Sequence, residues 1–263
     1  MSAGPLDQGA VRRRIRGGGI TSGCFAGMAS PMAVEVMAAA GVDWVVLDLE
    51  HGGGGEEQVG PAVVAAGAYG ASVLVRVETP ERLRIGRVLD AGAAGVMIPR
   101  VESAEQVRSI MRHLRYPPRG DRGVATYNRS IRWGLDKEAL AQADDRVTTI
   151  VQIETLQALA EADEIAAIDG VDVLFVGPLD LSYAVGHPVD FEAPEFTEAL
   201  ARVLAAAERH QVAAGILCPG PEVAARRRRE GFRFLAVGSD STLLAAATSA
   251  AMAQAREGSP AAG

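Results

Sequence analysis

Eight times along the chain a short run of valine, isoleucine, leucine or phenylalanine is followed by an alanine-rich stretch whose apolar positions recur at helical spacing. The runs fall at 21–28, 44–49, 73–77, 95–99, 149–154, 173–177, 212–218 and 232–238, and most lack the polar alternation of a strand with one wet face. Strands apolar on both faces are the mark of a parallel sheet covered by helices. The stretches between them predict helices around 31–40, 56–69, 80–91, 103–115, 155–167, 192–209, 220–230 and 240–256. Strand–helix–strand crossovers are right-handed, so eight such units in succession close into a single (β/α)8 TIM barrel of the α/β class. A doubly wound open sheet is the competing arrangement, but no G-x-G-x-x-G turn follows the first run.

A barrel of this kind runs as one domain at a length of 263 residues. Residues 19–256 are read as the barrel, 1–18 as a flexible N-terminal segment and 257–263 as a flexible tail. The basic stretch "VRRRIRGGG" resembles the start of a targeting signal, but the apolar segment that should follow is missing. A net charge of −7 gives no general attraction for nucleic acid or anionic lipid. Cys24 and Cys218 each sit in an apolar run, as reduced buried thiols of a cytoplasmic protein do.

Barrel enzymes carry their chemistry at the C-terminal ends of the strands. The second strand ends in "VVLDLEHGGGG", with Asp48, Glu50 and His51 within four positions, and period-2 alternation puts Asp48 and Glu50 on one face. The third strand ends in Arg76, the fifth in Glu154, and the sixth runs through "GPLD" to Asp180. Two carboxylates from adjacent strands, without nearby cysteine, describe a hard oxygen site for Mg2+ or Mn2+, with Co2+ also admissible. A 2-oxo acid chelated there would become acidic at its neighbouring carbon; Arg76 would hold the enolate oxygen and His51 would move a proton, with Asp48 orienting the imidazole. The plainer readings are that Glu154 and Asp180 cap the helices that follow and that Arg76 pairs with Glu78.

A Schiff-base aldolase needs a barrel lysine, and the single lysine, Lys137, follows the long connection at 116–135 rather than a strand. That connection carries Arg119, Arg122, Arg129 and Arg132, which read either as an anion-facing lid or as solvated surface. Its basic character leaves open a citrate lyase β or malyl-CoA type of enzyme acting on a CoA thioester. "VGSD" at the eighth strand leaves open a phosphate site. The "RRRR" run at 226–229 reads as a solvated helix face.

Seven ordered blocks, "GVDWVVLDLEHG", "VLVRV", "LDAGAAGVMIPRVESAEQ", "RYPPRGDRGV", "VQIET", "GVDVLFVGPLDLS" and "FLAVGSD", resemble the HpcH/HpaI family of metal-dependent pyruvate aldolases. The resemblance implies His51 as acid/base with Asp48 beside it, Arg76 as enolate stabiliser and Glu154 and Asp180 as metal ligands. The substrate carboxylate would meet the loop of Gly177, Pro178 and Leu179, and Asp90 would enter a neighbouring subunit's site. It further implies a homo-hexamer with the last helix exchanged between subunits, acting on a small 2-oxo acid and an aldehyde. Tyr127, Asn128 and Arg129, and the flexible-looking run at 52–55, depart from the sugar-acid aldolases where the acceptor aldehyde would bind. A non-catalytic 2-oxo-acid-binding homologue is the remaining alternative, against which all five expected catalytic positions are occupied.

Overall fold

The computed structural model describes residues 7–136 and 138–257, so Lys137, the first six residues and the last six lie outside the described residues. Eight strands, Thr21–Ala26 (β1), Trp44–Asp48 (β2), Ser72–Arg76 (β3), Gly95–Ile98 (β4), Thr148–Ile153 (β5), Val173–Val176 (β6), Ala213–Cys218 (β7) and Phe234–Ser239 (β8), pair in parallel in chain order, and β8 returns to β1. The result is the closed (β/α)8 barrel that the sequence pattern predicts. Helices at Ala10–Arg16 (α1), Pro31–Ala39 (α2), Val59–Gly67 (α3), Arg82–Asp90 (α4), Ala104–Leu114 (α5), Ala143–Arg146 (α6), Leu156–Ala160 (α7), Ala162–Ala166 (α8), Pro178–Ala184 (α9), Pro194–Arg209 (α10), Pro221–Glu230 (α11) and Asp240–Glu257 (α12) surround it. None of the helices among the described residues is long and apolar enough to cross a membrane.

Each strand sends alternate side chains inward. On β2, Trp44 and Val46 join the interior cluster while Val45 and Leu47 pack outward under the helices, which makes Asp48 the next inward position. The chain has few aromatics, and four of them fill the interior. Trp44 and Phe234 stack at 4.0 Å, Phe234 meets Phe175 edge-on at 6.0 Å, and Phe25 lies 6.2 Å from Phe175. The Trp44 indole N–H donates to Thr21 Oγ1 at 3.0 Å. Gly23 makes the room: a Cβ there would stand 2.0 Å from the Trp44 carbonyl oxygen and 2.4 Å from its ring.

The N-terminal segment departs from expectation. Residues 10–16 form α1, which lies against the N-terminal end of the barrel and inserts Val11 and Ile15 into the interior cluster. Arg12 is buried with it. Its Nε donates to both carboxylate oxygens of Asp172, at 3.1 and 3.0 Å, and Asp172 also accepts from Arg16 Nε at 2.6 Å and the Thr149 N–H at 2.9 Å. A buried carboxylate with three donors explains how a basic segment docks instead of trailing in solvent.

Three further differences have local causes. The expected helix at 155–167 divides into α7 and α8 because Glu161 leaves helical geometry (φ −101°, ψ 19°) and accepts the Ala104 N–H at the start of α5. The "GPLDLSYA" stretch forms a short helix, α9, so Asp180 sits in a first helical turn rather than a loop. In α11 the arginine run is not wholly solvated, since Arg227 is buried and pairs with Glu230 at 2.8 Å.

The last helix buries nothing along most of its length. Every residue at 241–256 is exposed, including Leu243, Leu244 and Met252, and α2 likewise presents Met32 and Val36 to solvent. A barrel helix lying on its own strands would bury an apolar stripe.

Because Ile15 is 1% exposed inside the barrel floor, Ile15→Ala is expected to lower unfolding free energy by about 2–4 kcal/mol, measured by urea titration. A flexible arm would show no change.

Candidate active site

The C-terminal ends of β2 and β3 are in direct register, with Asp48 opposite Arg76. Neighbouring inward positions at the same height bring the two side chains together: Arg76 Nε and Nη2 donate to the two Asp48 oxygens at 2.8 and 2.6 Å. Glu50, two residues on, takes Arg76 Nη1 at 3.0 Å, and the guanidinium lies over the Phe25 ring at 5.1 Å. Glu78, the alternative partner, pairs instead with Arg84 at 2.7 Å. Burial alone would raise the Asp48 pKa, but the guanidinium and the backbone N–H groups of His51 and Glu50 hold its carboxyl below the usual range. Burial opposes charge on Arg76 too; Asp48 and Glu50 outweigh it and keep the guanidinium firmly protonated.

The expected contact between Asp48 and the His51 imidazole does not form. Asp48 Oδ1 accepts the backbone N–H groups of Glu50 and His51, at 3.0 and 3.2 Å, and so shapes the turn rather than the ring. The imidazole is exposed, and its Nε2 lies 4.0 Å from Glu50 Oε2. The glycines that follow serve close approach rather than flexibility: a Cβ on Gly52 would stand 2.1 Å from the Asp48 carbonyl oxygen, and the Gly53 N–H donates to the Gly27 carbonyl at 2.8 Å.

Glu154 follows β5 and is 4% exposed. It is not a helix cap; Thr155 caps α7 by accepting the Ala158 N–H at 3.0 Å. Its Oε1 accepts the Arg100 backbone N–H at 2.8 Å and its Oε2 the Gln152 Nε2 at 2.7 Å, with Gly177 so close that a Cβ would stand 2.4 Å from Oε2. Burial pushes the Glu154 carboxyl up to about 7; the Arg100 N–H pulls it down, and the negative charges of Asp180 and Glu50 push it further up. Asp180 stands half-exposed at the start of α9, 3.8 Å from Arg100 Nη1.

These positions test the expected cation. A buried carboxylate whose pKa its surroundings raise to about 7, beside two more carboxylates, is short of positive charge, and its donor set is all oxygen. No three His, Cys, Asp or Glu side chains among the described residues gather into a complete ion cage. Glu154 and Asp180 therefore fit as two protein ligands for a hard cation that keeps its other positions for water and substrate.

Elsewhere most of the expected anion sites are already engaged. The long connection joins the lower end of α5 to the start of β5, so it lies at the N-terminal end of its own barrel. Arg119 pairs with Asp144 and Asp169 at 2.9 and 3.0 Å, Arg122 with Asp90 at 2.7 Å, and Arg129 stacks on Trp133 at 5.0 Å. The lid reading is thereby corrected, and Tyr127, Asn128 and Arg129 do not line this chain's own mouth. In "VGSD" the Asp240 carboxylate accepts the Gly27 and Met28 N–H groups at 3.0 and 3.1 Å, so a carboxylate stands where a phosphate was considered. A cavity of about 950 Å3 also lies at the N-terminal end, where Arg16 is tied to Asp172 and Arg233 to the carbonyls of Ile15 and Val212. The titratable cluster is instead at the mouth.

Comparison with known proteins gives the chain a lineage. The HpcH/HpaI aldolase/citrate lyase family profile matches residues 21–247. The chain belongs to the HpcH/HpaI aldolase/citrate lyase family. It is 40% identical over 223 residues to a hydroxypyruvate/pyruvate aldolase of Delftia acidovorans, covering 84% of this chain and 83% of the relative. It is 38% identical over 226 residues to a 5-keto-4-deoxy-D-glucarate aldolase of Klebsiella pneumoniae, covering 86% and 88%. Among solved structures, an HpcH/HpaI aldolase/citrate lyase family protein of Burkholderia cenocepacia J2315 superposes with a TM-score of 0.90 at 35% identity, over 94% of this chain and 99% of the other.

In this HpcH/HpaI family member the barrel brings together Asp48, Arg76, Glu154, Asp180 and the Gly177, Pro178, Leu179 turn. His51 stands at the rim, and Asp90, at the lower end of α4, lies away from the mouth. Sequence reasoning missed Gln152: its amide nitrogen holds Glu154, while its Oε1 is buried with no hydrogen-bond partner among the described residues. The signal was available, since Gln152 and Glu154 share strand parity and point the same way. The three other histidines pair with carboxylates: His113 with Asp121, His187 with Glu195 and His210 with Asp163.

The raised Glu154 pKa has a consequence for stability. A carboxyl near 7 when folded and at 4.5 when unfolded binds its proton more tightly in the folded state, so the metal-free protein loses stability as pH rises from about 4.5 to 7, by roughly 3 kcal/mol in all. Glu154→Gln is expected to remove that slope, read as the difference between the two proteins' urea unfolding free energies across this range.

Proposed function

We propose that this barrel is a divalent-cation-dependent class II aldolase, a carbon–carbon lyase that cleaves or forms 4-hydroxy-2-oxo acids through a pyruvate-type enolate with an aldehyde as the other product. The observation that carries this reading is the meeting, at one barrel mouth, of the carboxylates Glu154 and Asp180 with an arginine clamped by Asp48 and Glu50. The aldolase names of relatives at 38–40% identity support it.

Glu154 and Asp180 would hold Mg2+ or Mn2+, with Co2+ a further candidate. When bound, such an ion polarises the keto group of a 2-oxo acid and makes the adjacent carbon acidic. The chain's own groups do the rest. The Leu179 and Asp180 N–H groups, next to Gly177 and Pro178, would meet the substrate carboxylate. In the cleavage direction His51 takes the proton of the C4 hydroxyl as the C3–C4 bond breaks. The electron pair of that bond passes into the C2 carbonyl, and Arg76 stabilises the resulting oxyanion. A proton delivered to C3 then gives pyruvate. Asp48 acts on this chemistry through Arg76, whose plane it fixes.

The reading extends to assembly and setting. The uncovered α12 and α2 surfaces support a homo-oligomer, taken as a hexamer, in which the last helix is exchanged between subunits. In it Asp90, on the far end of α4, would serve a neighbouring subunit's His51. Two free buried cysteines suit a cytoplasmic enzyme. A CoA-thioester enzyme is disfavoured, since Arg119 and Arg122 are spent on carboxylates at the other end of the barrel.

Exchange of the pyruvate C3 protons with deuterated solvent, followed by NMR, tests the proposal. Wild type is expected to exchange with Mn2+ and not with chelator; Glu154→Ala is expected to lose exchange, and Arg76→Ala to slow it by about 10²–10³. Metal-independent exchange, or undiminished exchange in Glu154→Ala, would overturn it.

A further inference from the structure

We propose that Arg100 selects the acceptor: it favours aldehydes that carry a carboxylate or phosphate at the end remote from the carbonyl. The inference rests on the aldolase reading above and adds to it a specificity residue.

Arg100 lies two positions beyond β4, at the rim shared with Glu154 and Asp180. Its backbone is left-handed (φ 50°), a conformation a residue with a side chain seldom adopts and which concentrates at functional sites. The Arg100 N–H donated to Glu154 Oε1 at 2.8 Å holds it there. Pro99 is buried, so the reversal begins on a fixed base and turns the next side chain outward. That side chain is 65% exposed. Its nearest charge is Asp180, with Nη1 3.8 Å from Oδ1, beyond hydrogen-bond range, and among the described residues its guanidinium donates no hydrogen bond.

The two arginines of the mouth are thus opposites. Arg76 is 12% exposed and committed to two carboxylates on its inner side; Arg100 keeps its donors free and faces solvent. The barrel below the site is filled by Phe25, Phe175 and Phe234. An aldehyde attacked by the enolate therefore has its reacting carbon inside and its remote end toward the rim. Glu50, Glu154 and Asp180 would repel an anion on that end. A free guanidinium at the Asp180 side reverses this locally, and its planar fork matches carboxylate and phosphate oxygens in pairs.

The test compares kcat/KM for addition of pyruvate, with Mn2+, to succinic semialdehyde (carboxylate), glyceraldehyde 3-phosphate (phosphate) and propionaldehyde (neutral), in wild type, Arg100→Gln and Arg100→Lys. Wild type is expected to prefer at least one anionic aldehyde over the neutral one by about ten- to hundredfold, Arg100→Gln to erase the preference and Arg100→Lys to keep part of it. The ratio cancels any loss of folding or metal, which would lower all three rates together. The arm that responds identifies carboxylate or phosphate. No anionic preference in wild type, or a preference that survives Arg100→Gln, overturns the proposal while the aldolase reading stands. Absence of both addition and pyruvate exchange in wild type overturns the two together.

Discussion

Glu154 sits almost wholly out of water at the end of β5, with Gly177 against one oxygen and the charges of Asp180 and Glu50 nearby. Carboxylates gathered in that way repel one another, and burial strips them of solvent that would screen the repulsion. The protein meets the difficulty unevenly. Asp48 and Glu50 share Arg76, which stays charged because both press on it. Glu154 receives a backbone N–H and an amide, but no charged partner within hydrogen-bond distance, and is left poised near neutral pH. The cation proposed for the mouth, and the chemistry that goes with it, rest on that shortage of positive charge beside Glu154.

The barrel makes the arrangement rigid. Direct register between β2 and β3 fixes Asp48 against Arg76, strand parity aims Gln152 and Glu154 the same way, and stacked Trp44 and Phe234 close the space beneath. Below them α1 seals the floor. The N-terminal end is structural and the C-terminal end chemical, the usual division in this fold.

Much of this was legible in the residues. Eight double-sided apolar runs gave the closed barrel, and Asp48, Arg76 and Glu154 stood out at strand ends, with Asp180 shortly after one. What escaped had physical reasons. Helix α1 is too short for its Val11 and Ile15 spacing to register as a period, and the partner that lets Arg12 be buried, Asp172, is 160 residues away. Gln152 looked like an ordinary strand residue, because its spare oxygen matters only once Glu154 is seen beside it. The arginine-rich connection was misplaced although topology located it: it precedes a strand, so it belongs at the N-terminal end. His51 illustrates a further limit, since adjacency in sequence to Asp48 produced backbone hydrogen bonds rather than a contact with the ring.

The central claim is that Glu154 and Asp180 together hold one divalent cation. Calorimetric titration of Mn2+ into the metal-free protein at several pH values addresses it most directly. One ion per chain is expected, with affinity rising by about tenfold per pH unit below pH 7 as the proton leaves Glu154, and with binding lost in Glu154→Gln and in Asp180→Asn. Binding that is indifferent to pH and equally tight in both variants would contradict the account.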